Sequence, residues 1–342
     1  MTVQEIKLRQ LNNQHLMTAA DVQSVVRDLC GVQAQFLSNA MHAISIRAGV
    51  SPREDDPDLI KSWTIRGTVH VFSRDDLPLF LHEGRNHKLR PRDTLDGDDC
   101  ITQARKRYFA DLIVDSIAAG INTREALKTV CFDRGLTQTE VDSVFDPWGG
   151  TIRALCERGV ICHELKEKKS FRLCSPFTPM EHDAARLELT RRYFTHYGPA
   201  TVKDAAYFFG TTQAEIKKLF DRLPVETAVC DGRTYFFIVQ DVPARQEFPA
   251  CLFLAGFDPL MLGYQKTESL YLAPEHLRDI FNLAGIVMPA VLLHGQVAGR
   301  WKKNGRKLAV TLFAPVPAAD MALIEASAHS LWPDLRSLEF TT

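Results

Sequence analysis

Residues 183 to 239 constrain the fold more tightly than any other stretch. Asp183 to His196 sets apolar and charged residues at helical spacing, and Gly198-Pro199 breaks the run. Thr201-Val-Lys-Asp204 and Thr212-Gln-Ala-Glu215 each place a hydroxyl three residues before an acid. In that arrangement the hydroxyl takes one orphan backbone N–H and the acid returns to another, so each quartet opens a helix. Val225 to Cys230 and Arg233 to Val239 then flank Asp231-Gly232. An Asp-Gly pair supplies the two positive-φ positions of a tight hairpin turn, which predicts two paired strands. Three helices followed by a two-stranded wing is the winged-helix plan, a variant of helix-turn-helix.

Two earlier segments repeat this order more loosely. In the second, residues 104 to 120 read as a helix, Thr123-Arg-Glu-Ala-Leu starts another, and Thr137-Gln-Thr-Glu140 forms a capping box. Thr151 to Arg158 stays helical up to Gly159, and Val160 to Leu165 with Ser170 to Leu173 read as a hairpin. In the first, Gln4 to Leu16 predicts a helix, and Thr18-Ala-Ala-Asp21 has the spacing that opens a second, with Val22, Val25, Val26 and Leu29 on one face. Gly31 interrupts it, and a third helix runs from about Gln35 to Ala48, by the same periodicity. After a loop rich in proline and acids, Ile65-Arg-Gly-Thr-Val-His-Val71 reads as an alternating strand. Ile65, Val69 and Val71 then share one face, and Arg66, Thr68 and His70 share the other.

Beyond Pro249 the pattern changes to short strands at Cys251 to Phe257, Met288 to His294, Val297 to Trp301 and Lys307 to Phe313. Gly295-Gln296 would turn one strand into the next, and Ala319 to Leu331 closes the chain as a helix. The expected class is α+β: winged-helix units over 1–95, 96–180 and 181–248, then a β-rich unit over 249–342. A repeat of roughly 80–100 residues is a tandem array; solenoid repeats are shorter, at roughly 20–50.

Composition removes several classes. There is no apolar run long enough for a membrane span, and the N-terminus lacks a signal-peptide layout, so a cytoplasmic location is expected. The eight cysteines are scattered without a Cys-x-x-Cys pair, which reads as reduced, buried thiols. Cys156, Cys162 and His163 come nearest to a metal cluster, but their spacing fits no common zinc site, and no metal is expected. The formal net charge is −1, so any nucleic-acid contact must come from local patches. Arg85-Asn-His-Lys-Leu-Arg-Pro-Arg92 and Arg300-Trp-Lys-Lys-Asn-Gly-Arg-Lys307 each concentrate positive charge without an acid. Either serves equally as a solvated basic face or as a phosphate contact.

Most catalytic signatures are absent. The chain has no phosphate loop, no Gly-x-Gly-x-x-Gly after a strand and no Gly-x-Ser-x-Gly elbow, so no nucleotide cofactor is expected. His82 and His87 flank Glu83 but lie five apart, which turns the second imidazole about 140° from the first on a helix and excludes a shared zinc. Gln33 and Gln35 remain, either side of Ala34. On an ideal helix they lie roughly 200° apart, so only an irregular start, as Gly31 offers, lets both face one site. A glutamine amide donates and accepts hydrogen bonds without titrating. It can hold a water or stabilise developing charge, which suits a reaction whose leaving group is already good. The same residues suit ordinary capping.

Five short motifs, taken in order, carry a family resemblance. They are Gly31-Val-Gln-Ala-Gln35, Arg66-Gly-Thr-Val-His70, Tyr197-Gly-Pro-Ala-Thr201, Phe257-Asp-Pro-Leu, and Met288-Pro-Ala-Val-Leu-Leu-His-Gly-Gln-Val-Ala-Gly-Arg-Trp301. Together they resemble the AlkZ/YcaQ family of winged-helix DNA glycosylases over nearly the whole chain. The resemblance implies three tandem winged-helix units and a C-terminal β-barrel-like unit, arranged as a C-shaped clamp around duplex DNA. It also implies a Gln-x-Gln that positions the water attacking the sugar, here Gln33 and Gln35. The YcaQ branch has an acid at the second position, so this chain resembles the AlkZ branch, which excises bulky N7-alkylated purines and in some members unhooks interstrand crosslinks. Two features depart from the pattern: Ala34 is small, and Gly263-Tyr-Gln-Lys266 is less basic than its counterparts.

From these readings the expected partner is double-stranded DNA carrying alkylated purines, bound by a monomer without cofactor, metal or membrane. Arg66, Thr68 and His70 would form a polar wall on the anionic groove. The Val291 to Trp301 hairpin would enter a groove, with Arg300, Lys302, Lys303, Arg306 and Lys307 on phosphates. Base release should leave an abasic site without strand cleavage, since no lysine nucleophile is implied. A winged-helix array without catalysis, acting as a transcription regulator, is the competing reading, and an interaction scaffold is a third.

Overall fold

The computed structural model describes residues 1–85, 94–96, 98–147, 149–240 and 247–341. The basic stretch beyond Arg85, with His87, lies outside them. Helix α1 (Val3–Asn13) opens on a capping box in which Thr2 and Glu5 exchange backbone and side-chain bonds at 2.7 and 3.2 Å. Helix α2 (Val22–Asp28) is capped by Asp21, which accepts from Ser24 N–H; Thr18 is not the cap. Cys30 and Gly31, both at positive φ, then turn the chain out of the helix into β1 (Val32–Gln33). After α3 (Leu37–Ala48) the chain forms β2 (Leu59–Trp63) and β3 (Val69–Ser73), an antiparallel pair in which Trp63 faces Val69 and Ser62 faces His70.

The expected single strand from Ile65 to Val71 is therefore corrected. Ile65–Gly67 is a 3-10 turn with Arg66 at φ 57° and Gly67 at φ 65°, and only the residues from Val69 onward are strand. Two consecutive left-handed residues reverse the chain, so Arg66, Thr68 and His70 do not line one strand face.

The short α4 (Leu77–Phe80) leads on to α5 (Gln103–Ala118), α6 (Arg124–Asp133), α7 (Val141–Phe145), α8 (Gly150–Glu157) and the hairpin β4 (Ile161–His163) and β5 (Phe171–Leu173). Glu140 takes the Thr137 N–H and hydroxyl, but the helix it was expected to share begins only at Val141. Next come α9 (His182–His196), α10 (Val202–Phe209), α11 (Gln213–Lys217) and the hairpin β6 (Glu226–Cys230) and β7 (Arg233–Phe237), with Asp231 and Gly232 at positive φ as the turn requires.

The C-terminal part contains β8 (Cys251–Leu254), α12 (Pro259–Leu262), α13 (Leu277–Ile280), β9 (Ala290–Leu293), β10 (Gln296–Asn304), β11 (Lys307–Leu312), α14 (Ala318–Leu331) and β12 (Ser337–Thr341). Its five strands lie in the order β12-β11-β10-β9-β8 with edges at β12 and β8, so the sheet is open where a barrel was expected. The turn between β9 and β10 is His294-Gly295, both at positive φ, one residue earlier than expected. α14 packs Ile324 and Ala328 on one sheet face against Phe253, Val291, Leu308 and Val310, and β12 returns parallel to β11. Each such buried aliphatic or aromatic side chain contributes about 1.5–3 kcal/mol of transfer free energy.

Compactness divides the chain differently from the segment boundaries at 95, 180 and 248. One unit contains Met1–Gln33, Ser38–Pro52 and Leu189–Thr342; the other contains Ala34–Leu37 and Arg53–Glu188. In the second unit β3, β2, β4 and β5 are successive neighbours in one sheet, so the hairpins of two sequence segments pair edge to edge. Its core is built from Phe109, Ile113, Leu127, Val144, Ile152, Leu155 and Phe171.

One backbone bond pattern recurs along the chain. In each segment, the connection between two helices bonds to the second strand of the hairpin that follows. Ala34 N–H donates to Val69 O at 2.7 Å; Phe171 N–H donates to Asn122 O at 2.9 Å; Ala200 and Phe236 exchange bonds at 2.9 and 2.8 Å. Ala34 lies between the second and third helices of its segment, whereas Asn122 and Ala200 lie between the first and second helices of theirs.

Candidate active site

Gln33 sits on extended chain and Gln35 in the bend that precedes α3, so neither opens a helix. Gln33 ends β1 and is 8% exposed; Ala34 is 1% exposed; Gln35 lies exposed in the bend before α3. The left-handed pair Cys30-Gly31 ends α2 before the motif begins. Gly31 N–H is anchored to Val26 O at 2.7 Å.

The structure brings the second motif to the first through one backbone bond. Ala34 N–H to Val69 O fixes the residue between the glutamines to the residue between Thr68 and His70. The Thr64–Thr68 turn is closed by Thr64 N–H to Thr68 O at 3.0 Å and by the Thr68 hydroxyl to Ile65 O at 3.2 Å. Arg66 and Thr68 are half-buried in this turn. His70 is buried, with Nδ1 2.8 Å from the Thr64 hydroxyl and 3.1 Å from Thr68 O. Burial, reinforced by the Arg66 charge, pushes its pKa down to about 3, so it is a neutral ring at physiological pH. Its two contacts organise the turn.

Two further motifs turn out to be scaffold. Asp258 of Phe257-Asp-Pro is fully buried, accepts from both terminal guanidinium nitrogens of Arg47 at 2.7 and 3.1 Å, and also caps α12 through Leu260 N–H. Tyr197, before the cis Gly198–Pro199 bond, donates its hydroxyl to Leu29 O at the end of α2. Tyr264 donates to Tyr197 O, and Gln14 donates to the Tyr264 hydroxyl. Gly263 has no room for a side chain, because a Cβ there would lie 2.4 Å from the Tyr197 ring. These residues hold the end of α2 from which the chain runs to Gln33.

The C-terminal basic residues separate. Arg300 and Lys302 alternate on β10 with Trp301 and Lys303, so the two pairs occupy opposite sheet faces. Arg300 and Lys302 are exposed on the face away from α14, beside Lys307. Lys303 donates to Gly305 O at 2.6 Å and lies over the Trp332 ring on the helix-covered face. Arg306, in the β10–β11 turn, pairs with Asp334 at 3.1 Å.

Sequence spacing did not reveal one constellation. The side chains of His15, Asp28 and His196 offer ligand atoms within 4.8 Å of one another, and they are the candidate metal-holding group among the described residues. They come from the ends of three different helices, so no local motif signals them. Cys156, Cys162 and His163 do not form such a group; burial holds the Cys156 thiol well above its usual pKa. All eight cysteines are free, and six are buried. No helix of the described residues is long and apolar enough to cross a membrane.

Along its full length the fold is shared with a solved DNA glycosylase. The structure of Streptomyces sahachiroi DNA glycosylase AlkZ matches all of this chain and all of its own, with a TM-score of 0.73 at 22% identity. A curated relative from the same organism, an interstrand DNA cross-link repair glycosylase, is 25% identical over 91% of this chain and 90% of its own. Residues 26–332 match the family described as DNA glycosylase AlkZ-like, and the chain belongs to that family. It is a DNA glycosylase, an enzyme that hydrolyses N-glycosyl bonds.

Proposed function

We propose that this glycosylase releases N7-alkylated purines from duplex DNA, with Gln33 and Gln35 holding the attacking water. The supporting observation is the Ala34–Val69 bond, which ties the residue between the glutamines to the strand that follows the Thr64–Thr68 turn. Alkylation at N7 makes the purine cationic, so the glycosidic bond is already weak and no strong acid is needed. The protein's task is to orient water and stabilise an oxocarbenium-like sugar, which is positional and electrostatic work. Amides suit it because they accept a hydrogen bond from the water without titrating. A neutral His70 fits the same logic, as no added positive charge opposes the sugar cation. The name of the curated relative extends the reading to interstrand crosslinks.

On this reading the three helix–hairpin segments act as winged helices on the duplex, and Arg300, Lys302 and Lys307 contact phosphates. The protein acts as a monomer. A regulator with the same segments would bind without releasing a base, and family membership disfavours it.

Base release from a duplex carrying one N7-methylguanine, followed by alkali cleavage, tests the proposal. Wild type should release the base and leave an alkali-sensitive, otherwise intact strand. Gln33→Ala and Gln35→Ala should each slow release by about 10²–10³-fold, the loss typical of one preorganised polar group, with duplex binding retained. Gln33 is buried, so its variant is checked by thermal melting. A parallel duplex carries a bulkier N7 adduct. Release of neither base, or undiminished release in both variants, rejects the assignment.

A further inference from the structure

We propose that His15, Asp28 and His196 bind one divalent transition cation of the zinc class, as a structural tie within the unit that contains all three. Two imidazoles and one carboxylate suit zinc, cobalt, nickel or iron(II), whereas magnesium and calcium require oxygen donors. The three residues' ligand atoms lie within 4.8 Å of one another, close enough to converge on one ion. Donors about 2.1 Å from one ion stand about 3.0 Å apart at right angles and about 3.4 Å apart in a tetrahedron. His15 Nε2 lies 2.9 Å from Asp28 Oδ2, and His196 Nε2 lies 3.5 Å from Asp28 Oδ1.

The hydrogen bonding around His196 points to a cation. Its Nδ1 lies 3.2 Å from Asn13 O, and a carbonyl only accepts, so Nδ1 carries the proton. In the neutral ring this leaves Nε2 as a lone pair 3.5 Å from Asp28 Oδ1, and a cation between them satisfies both acceptors. Anchoring the distal ring nitrogen on a backbone carbonyl is the usual support for a metal-bound histidine. His15 adds a second indication. It sits at φ 60° just past α1, a position helices usually give to glycine or asparagine, and this conformation aims its ring at Asp28.

Arg27 competes for the same carboxylate, with Nε 3.2 Å from Asp28 Oδ1. Its side chain is half-exposed and can leave for solvent when an ion enters. Bound there, the ion joins the ends of α1, α2 and α9, and Asp28 is the last residue of α2 before the chain turns to Gln33. The ion takes no part in base release, and the inference does not depend on the glycosylase chemistry.

The test uses the full chain, stripped by chelator and dialysed against zinc or cobalt(II). The expected result is one ion per chain, visible cobalt d–d bands without thiolate charge transfer, and a higher melting temperature with zinc. His15→Ala and His196→Ala should each weaken binding at least about tenfold, since even outer-shell losses cost about 10–100-fold. Arg27→Gln should bind more tightly. Absence of binding, or binding unchanged in His15→Ala, overturns the proposal. His15 lies at the helix end near the surface, so its variant decides the matter even if His196→Ala fails to fold.

Discussion

Replacing Asp258 by asparagine measures how far one compact unit depends on a single buried ion pair. Both side chains of the Arg47–Asp258 pair have no exposed surface. The guanidinium also donates to Gln14 O and Ala43 O, at 3.0 and 2.9 Å, and the carboxylate also accepts from Leu260 and Ala255 N–H. Asparagine keeps the cap on α12 but turns a donor towards the guanidinium, leaving its charge buried without a counter-charge. Breaking a buried pair from one side costs about 3–5 kcal/mol. At about 2–4 °C per kcal/mol for a unit of this size, the melting temperature should fall by about 6–20 °C. Arg47→Met should be comparably damaging. The double variant Arg47→Met/Asp258→Asn removes both charges and should recover much of the loss. Calorimetry and urea unfolding followed by circular dichroism give the comparison. A cost below about 1 kcal/mol for Asp258→Asn, the worth of an exposed pair, would refute the reasoning. So would a double variant no more stable than either single.

Acid should destabilise the second unit through its buried neutral histidines. His70 and His163 both have pKa values pushed down to about 3 by burial, so the unfolded chain binds protons that the folded chain refuses. Stability is therefore full above the unfolded value of about 6.5 and declines as pH falls towards 3, by about 1–2 kcal/mol per histidine at pH 5. Urea midpoints at pH 7.5 and 5.0 should differ less in His163→Phe than in wild type; an equal drop in both removes His163 from the account. For DNA binding, Arg300→Ala and Lys302→Ala should each lower the slope of log affinity against log salt by about 0.9. Lys303→Ala should leave the slope unchanged, because its ammonium is bound to Gly305 O on the helix-covered face. Fluorescence anisotropy across a salt series reads all three, and a slope lost in Lys303→Ala but kept in the others contradicts this division.

Local chemistry by itself determines much of this protein. The Thr201 and Thr212 caps, the Asp231-Gly232 turn and the buried thiols depend on near neighbours or on composition, so they are legible in the sequence. The paired glutamines can be singled out there, but their geometry cannot. Periodicity does not reveal that Cys30 and Gly31 both adopt left-handed φ, which is what replaces a helix start by extended chain. The same holds at Arg66-Gly67, where a turn interrupts a run that alternates like a strand. Strand β12 is not legible in the sequence because its pairing with β11 depends on α14 first carrying the chain back across the sheet. The Arg47–Asp258 pair and the His15–Asp28–His196 group lie beyond sequence reading altogether. Each joins residues from separate helices or loops, and their proximity is decided by packing, which no spacing along the chain encodes.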